Sequence, residues 1–243
     1  MSLARRASAE FAGTALLVAA VVGSGIAAAR LSPGDVGLQL LENAVATALA
    51  LGALILTFGP VSGAHFNPVV SAVDWWLGRR TGTGLTVREL AGYAAAQVAG
   101  AVAGAVLAAL MYGLPAVSWS HTARTGGNLW LAEVVATAGL VVLIFALARS
   151  DRATAAPAAV GAYIGAAYWF TSSTSFANPA VTIGRAFTDT FAGIAPASVP
   201  GFVAAQLVGG LVAVAALAVW YPQARRATDA AIVPHPIEET ALR

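Results

Sequence analysis

Two apolar stretches that open on Asn-Pro and stop halfway across a membrane constrain this chain more than any other feature. They begin at Asn67-Pro68 and Asn178-Pro179 and run over residues 67–77 and 178–188. A spanning helix needs about 20 predominantly apolar residues at about 1.5 Å of rise each, so neither stretch crosses. Six other segments are long enough: residues 9–29, 38–58, 88–112, 129–148, 155–171 and 199–220. The chain is 58% hydrophobic and only 10% charged, against about 25% charged in a soluble domain. Lipid is therefore the solvent for most of its surface. Arg5 and Arg6 precede an apolar run that continues to Ala29 without a convincing cleavage site. A retained transmembrane helix is expected there rather than a signal peptide.

The two half-length stretches occupy matching places in an internal repeat. Ala9-Glu10 opens the first span and Ala132-Glu133 the fourth; Ala95-Ala96-Gln97 sits in the third and Ala204-Ala205-Gln206 in the sixth. Ser62-Gly63-Ala64-His65-Phe66-Asn67-Pro68-Val69 answers Ser173-Thr174-Ser175-Phe176-Ala177-Asn178-Pro179-Ala180. Three spans per half is an odd number, so the second half enters from the opposite side. Such inverted repeats place their site near the midplane, where the halves meet. The expected fold is an all-α membrane protein with six transmembrane helices plus two re-entrant half-helices. A single transmembrane channel domain is expected over residues 1–222, with repeats at 9–113 and 129–221, followed by a polar cytoplasmic tail at 223–243. The many Gly, Ala and Ser residues in the long segments suit close helix packing in lipid.

The arginines set the expected orientation. There is no lysine; ten arginines fall on one side (5, 6, 79, 80, 88, 149, 152, 225, 226 and 243) and three on the other (30, 124 and 185). The positive-inside rule then puts both termini in the cytoplasm. A net charge of +2 with no basic patch argues against a nucleic-acid partner. Cysteine is absent. No metal-ligand spacing, phosphate loop or activated nucleophile is found, so neither an enzyme nor a cofactor is expected.

Asn is a favoured helix N-cap and Pro a favoured first helical residue, so both motifs read as helix starts. Inversion brings the two starts together at the bilayer centre. Backbone entering as a loop at that depth is tolerable where it lines a water-filled path or is buried in protein. The caps set amide donors on that path, and two N-terminal dipole ends oppose cations and hydronium while neutral molecules pass.

These motifs resemble those of the major intrinsic protein family, the aquaporins and aquaglyceroporins. The resemblance covers about residues 9–221, with Asn67, Pro68 and Val69 and then Asn178, Pro179 and Ala180 at the pore centre. It departs slightly at Val69, where Ala is usual. The resemblance implies one pore per protomer, a homotetramer, and a structural task for Glu10 and Glu133: accepting hydrogen bonds from the loops before the half-helices. His65 is expected either in the cytoplasmic vestibule or as a packing histidine bonded to a loop carbonyl. Family members normally carry an arginine three residues after the second Asn, and water-selective members typically set large aromatic or His side chains opposite it. Here that place is Val181, and counting from the motifs puts the other filter positions at Thr47, Ala166 and Ser175. This small, uncharged quartet implies a wide, Arg-less selectivity filter. One reading lets Arg185 substitute for the missing arginine, because it returns to nearly the same face as Asn178 about two turns further out. The plainer expectation makes it a helix-terminal arginine paired with Asp189.

The resulting expectation is a passive channel for water and small uncharged solutes: glycerol, urea and metalloid hydroxides such as arsenite. The run 168–181 and Asp189-Thr190-Phe191-Ala192-Gly193 resemble a bacterial branch associated with arsenic-resistance operons, which implies a multi-pass protein of the bacterial plasma membrane. The alternatives are a strictly water-selective aquaporin and a secondary transporter. The latter normally needs a coupling site, and the intramembrane carboxylates available are Glu10, Glu133 and Glu42.

Overall fold

A computed structural model describes residues 1–79 and 81–222; the polar tail expected at 223–243 lies outside the described residues. The elements are helices α1 (Leu3–Leu31), α2 (Val36–Ser62), α3 (Pro68–Gly78), α4 (Val87–Met111), α5 (Gly127–Arg149), α6 (Ala156–Phe170), α7 (Pro179–Gly184) and α8 (Val199–Trp220). Short 3₁₀ turns precede α6, follow α7 and precede α8.

Five of these helices are long and apolar enough to cross a bilayer. The sixth expected span, α6, has 15 residues. Its 3₁₀ turn Ala153–Ala155 joins it directly. The continuous segment is about 28 Å long at the rises of the two helix types, close to the hydrocarbon thickness. The first helix begins six residues earlier than its apolar run. Ser2 caps it, accepting from the Arg5 amide at 3.4 Å. Arg6 is buried in α1 and pairs with Glu89 at the start of α4. Hydropathy excludes a charged pair from a span, although the pair neutralises itself once the two helices meet.

The halves pack as one pattern used twice. α1 lies against α2 and α4, and α5 lies correspondingly against α6 and α8. α3 touches α4 and α8, while α7 touches α8 and α4; α2 and α6 close the arrangement on each other. Leu49 and Leu56 of α2 and Leu211 and Val219 of α8 are 65–72% exposed. So much apolar surface on a folded chain suits lipid or another protein rather than water.

Glycines set the closest approaches. Gly100 and Gly104 of α4 lie directly on the Phe11 and Ala15 carbonyls of α1, and a Cβ on Gly209 would stand 2.7 Å from the Val134 carbonyl of α5. Backbone cannot yield as a flexible side chain does. Gly104→Leu should cost at least about 1–3 kcal/mol, the usual range for overpacking. It should therefore lower the melting temperature in detergent, while Gly127→Ala, where a Cβ meets open space, leaves it unchanged.

Candidate functional site

The chain between α2 and α3 and the chain between α6 and α7 each turn back inside the protein, and both do so with the same backbone. Gly63, Ala64 and Phe66 have φ of 86°, 52° and 49°; their counterparts Thr174, Ser175 and Ala177 have 60°, 50° and 48°. Left-handed conformations at five non-glycine residues cost about 1–2 kcal/mol each, so something must hold them.

Two buried carboxylates do so. One Glu10 oxygen accepts from the Ser62 hydroxyl at 2.6 Å and the His65 amide at 3.0 Å. The other accepts from the Phe66 amide at 2.6 Å and the Gln97 side-chain amide at 2.8 Å. Glu133 repeats this in the second half: it accepts from the Phe176 amide at 2.9 Å, the Ala177 amide at 2.8 Å and Gln206 Nε2 at 2.6 Å. Gln97 also donates to Ser71, and Gln206 to Thr182. Glu10 and Glu133 are fully buried, and every carboxylate oxygen here accepts at least one bond. Gln97, Gln206, Ser71 and Thr182 were not singled out as site residues from sequence. The signal was available, since both glutamines recur in the repeat and both hydroxyls lie four residues after their Asn.

Each Asn caps its half-helix and reaches across to the other loop. Asn67 Oδ1 accepts from the Val69 amide at 3.0 Å, and Asn178 Oδ1 accepts from Ala180 at 2.9 Å and Val181 at 3.3 Å. Asn67 Nδ2 donates to the Ala177 carbonyl and Asn178 Nδ2 to the Phe66 carbonyl, each at 2.7 Å. A side-chain amide has two N–H donors. The reciprocal bonds use one on each Asn and fix the amide plane, which leaves one spare donor apiece. Pro68 and Pro179 occupy the first helical positions, where no amide donor is needed.

Both Asn residues line a cavity of about 630 Å³ that runs from Pro60 and Thr154 past the paired caps to Val181, Tyr168 and Arg185. His65 lines it, with its ring edge-on to Tyr93 and Nδ1 3.0 Å from the Ser71 hydroxyl. Its partner is thus a side chain rather than a loop carbonyl. The carbonyls of Gly63, Ala64 and His65, and those of Ser175 and Phe176, meet no protein donor among the described residues. These residues line the cavity, so it is flanked by free acceptors from both loops.

Of the four expected filter residues, Thr47, Ser175 and Val181 line the cavity and Ala166 does not. Ala166 lies on the exposed face of α6. The residues of this helix that line it include Val160, Ile164 and Tyr168, a four-residue spacing. Counting slipped by two residues, about 200° around a helix, which inverts the face. Tyr168 Oη shares a 3.2 Å hydrogen bond with Thr47 Oγ1, so an aromatic side chain stands beside the filter positions.

Arg185 stands at the C-terminus of α7 as expected, but the expected pairing with Asp189 is not formed. Asp189 is held by His121, through its amide and its ring, each at 3.0 Å. These bonds keep the Asp189 carboxyl below its usual range. The α-helix ends at Gly184, a 3₁₀ turn covers Arg185–Phe187, and Thr188 is extended. The helical four-residue spacing between Arg185 and Asp189 is therefore lost. Arg185 instead packs on Phe176 and lines the cavity.

Residues 1–177 match the profile described as MIP, Major intrinsic protein. The chain is 53% identical over 213 residues to Aquaglyceroporin AqpS of Rhizobium meliloti, covering 88% of each chain. It is 32% identical to the Glycerol uptake facilitator protein of Pseudomonas aeruginosa, covering 82% of this chain and 79% of that one. Aquaporin AqpM of Methanothermobacter marburgensis is 33% identical, with coverages of 79% and 87%. Among solved structures, the aquaglyceroporin from Plasmodium falciparum superposes with a TM-score of 0.65 at 21% identity, over 91% of this chain and 98% of that one. That last likeness carries the fold alone. Matched along most of its length by both profile and relatives, the chain belongs to the major intrinsic protein family.

Proposed function

We propose that this channel passes water and uncharged solutes up to at least the size of glycerol, with urea and undissociated metalloid hydroxides such as arsenous acid in the same class. The observation that carries neutral conduction is the reciprocal pair of Asn caps on one cavity, and the small uncharged Thr47, Ser175 and Val181 on its wall support the larger solutes. Each cap offers a passing oxygen one N–H donor, and the unpaired loop carbonyls offer acceptors to the solute's hydroxyls. A hydroxylated neutral molecule thus exchanges its hydration for protein bonds as it moves. A cation meets two donors and two helix N-termini at the centre, all of the wrong sign. A water at the caps accepts from both Asn donors, so its own hydrogens point away, which breaks a proton wire.

In this reading Val181, Thr47, Ser175 and Tyr168 form the outer filter, and Glu10 and Glu133 hold the loops rather than relay protons. The glycerol-related names of two relatives support the larger solutes. The arginine asymmetry supports a plasma-membrane protein with both termini cytoplasmic, and the family favours a homotetramer. Vesicles reconstituted with the protein should swell rapidly in inward gradients of glycerol, urea and arsenous acid. Water flux with exclusion of all three would overturn the wide-filter reading and favour a strictly water-selective channel. Val181→Arg adds a long donor at the filter and should lower glycerol flux about tenfold, the effect of about 1.4 kcal/mol. Water flux should fall much less.

A further inference from the structure

The geometry points to Arg185 as the cationic donor of the outer constriction, standing in from one turn beyond Val181 for the charge that Val181 does not supply. Arg185 is 2% exposed, and no carboxylate pairs with it among the described residues. The acid within helical reach in sequence, Asp189, is committed to His121. Its guanidinium is nonetheless anchored. Nε donates to the Ala192 carbonyl, and the guanidinium carbon lies 3.4 Å from the centroid of the Phe176 ring. The Arg124 guanidinium lies 5.1 Å from the same ring, bound to the Gly193 carbonyl.

That anchoring fixes one edge and one face of the plane. Among the described residues neither terminal nitrogen bonds a protein acceptor, so four N–H donors remain. Neither terminal nitrogen is sealed off in the protein interior, and the cavity that Arg185 lines is what offers their donors an acceptor. Among the described residues, none from 186 to 195 lines the cavity, so Arg185 marks its outward limit along this segment. An unpaired positive charge at that point repels cations before they reach the Asn caps, and its donors bind the oxygens of neutral solutes. The relocation also leaves the room beside Val181 unfilled, which keeps a wide filter compatible with ion exclusion.

The inference rests on the channel reading above, and the test separates the two. The full chain in phosphatidylcholine vesicles is assayed for glycerol flux by light scattering and for sodium and proton leak by entrapped dyes. Wild type should pass glycerol with cation leak at the level of empty vesicles. Arg185→Leu should raise cation leak at least about tenfold, since a unit charge is removed from a poorly screened path. Arg185→Lys should retain exclusion, and Val181→Arg in the Arg185→Leu background should restore it. If the leucine variant does not insert, Arg185→Gln carries the same expectation. A neutral variant that passes glycerol and leaks no more cation than wild type would overturn the role of Arg185 while leaving the channel reading intact. A wild type that passes no glycerol would overturn both.

Discussion

Glu10→Ala should destabilise the protein more than any substitution of a cavity-lining residue, and Glu133→Ala should do nearly the same. Removing Glu10 leaves the Ser62 hydroxyl, the His65 and Phe66 amides and Gln97 Nε2 without their acceptor in a fully buried site. Each buried neutral donor left without an acceptor costs about 1–3 kcal/mol, and the left-handed residues Ala64 and Phe66 lose what holds them. The melting temperature in detergent should fall sharply and conduction should disappear with the fold. Glu10→Gln should not rescue, because its amide presents donors where the loop also presents donors. This distinguishes a structural acceptor from a proton relay: a relay variant would stay folded and lose only a pH-dependent flux. Retention of wild-type melting by both alanine variants would contradict the structural account.

The second large effect concerns the two Asn caps taken together. Asn178→Ala removes a cap, worth about 0.5–2 kcal/mol. It also strips the Phe66 carbonyl of its donor across the interface between the halves. Asn67→Ala does the same to Ala177. The bonds are reciprocal, so each substitution loosens the loop that positions the other Asn. The double variant should therefore cost less than the sum of the singles, with a coupling of about 0.5–3 kcal/mol. A thermal-unfolding double-mutant cycle measures it. Strict additivity would mean that the two loops are held independently, against the geometry described here.

What could be read from sequence and what could not divide along a physical line. The Asn-Pro starts, the two carboxylates and the inverted repeat rest on local chemistry that recurs at matching places, so they needed no knowledge of packing. Helix register needs more. Ala166 and Ile164 differ by two residues but by more than half a turn, and only the packing of α6 against α2 decides which faces inward. The expected Arg185–Asp189 pair fails because it depends on an α-helix that stops one residue before Arg185. The choice of His121 as Asp189's partner joins residues 68 apart in sequence, and no local pattern encodes it. The start of α1 is hidden from hydropathy because burial of Arg6 depends on Glu89, 83 residues away.

The central claim, passive conduction of neutral solutes, is tested most directly by the initial rate of glycerol entry into vesicles across a wide range of glycerol concentrations. The rate should be measured with and without imposed sodium and proton gradients. A passive pore gives a rate linear in concentration, unchanged by either gradient and carrying no current. Saturation together with acceleration by an ion gradient would contradict it and mark a coupled transporter instead.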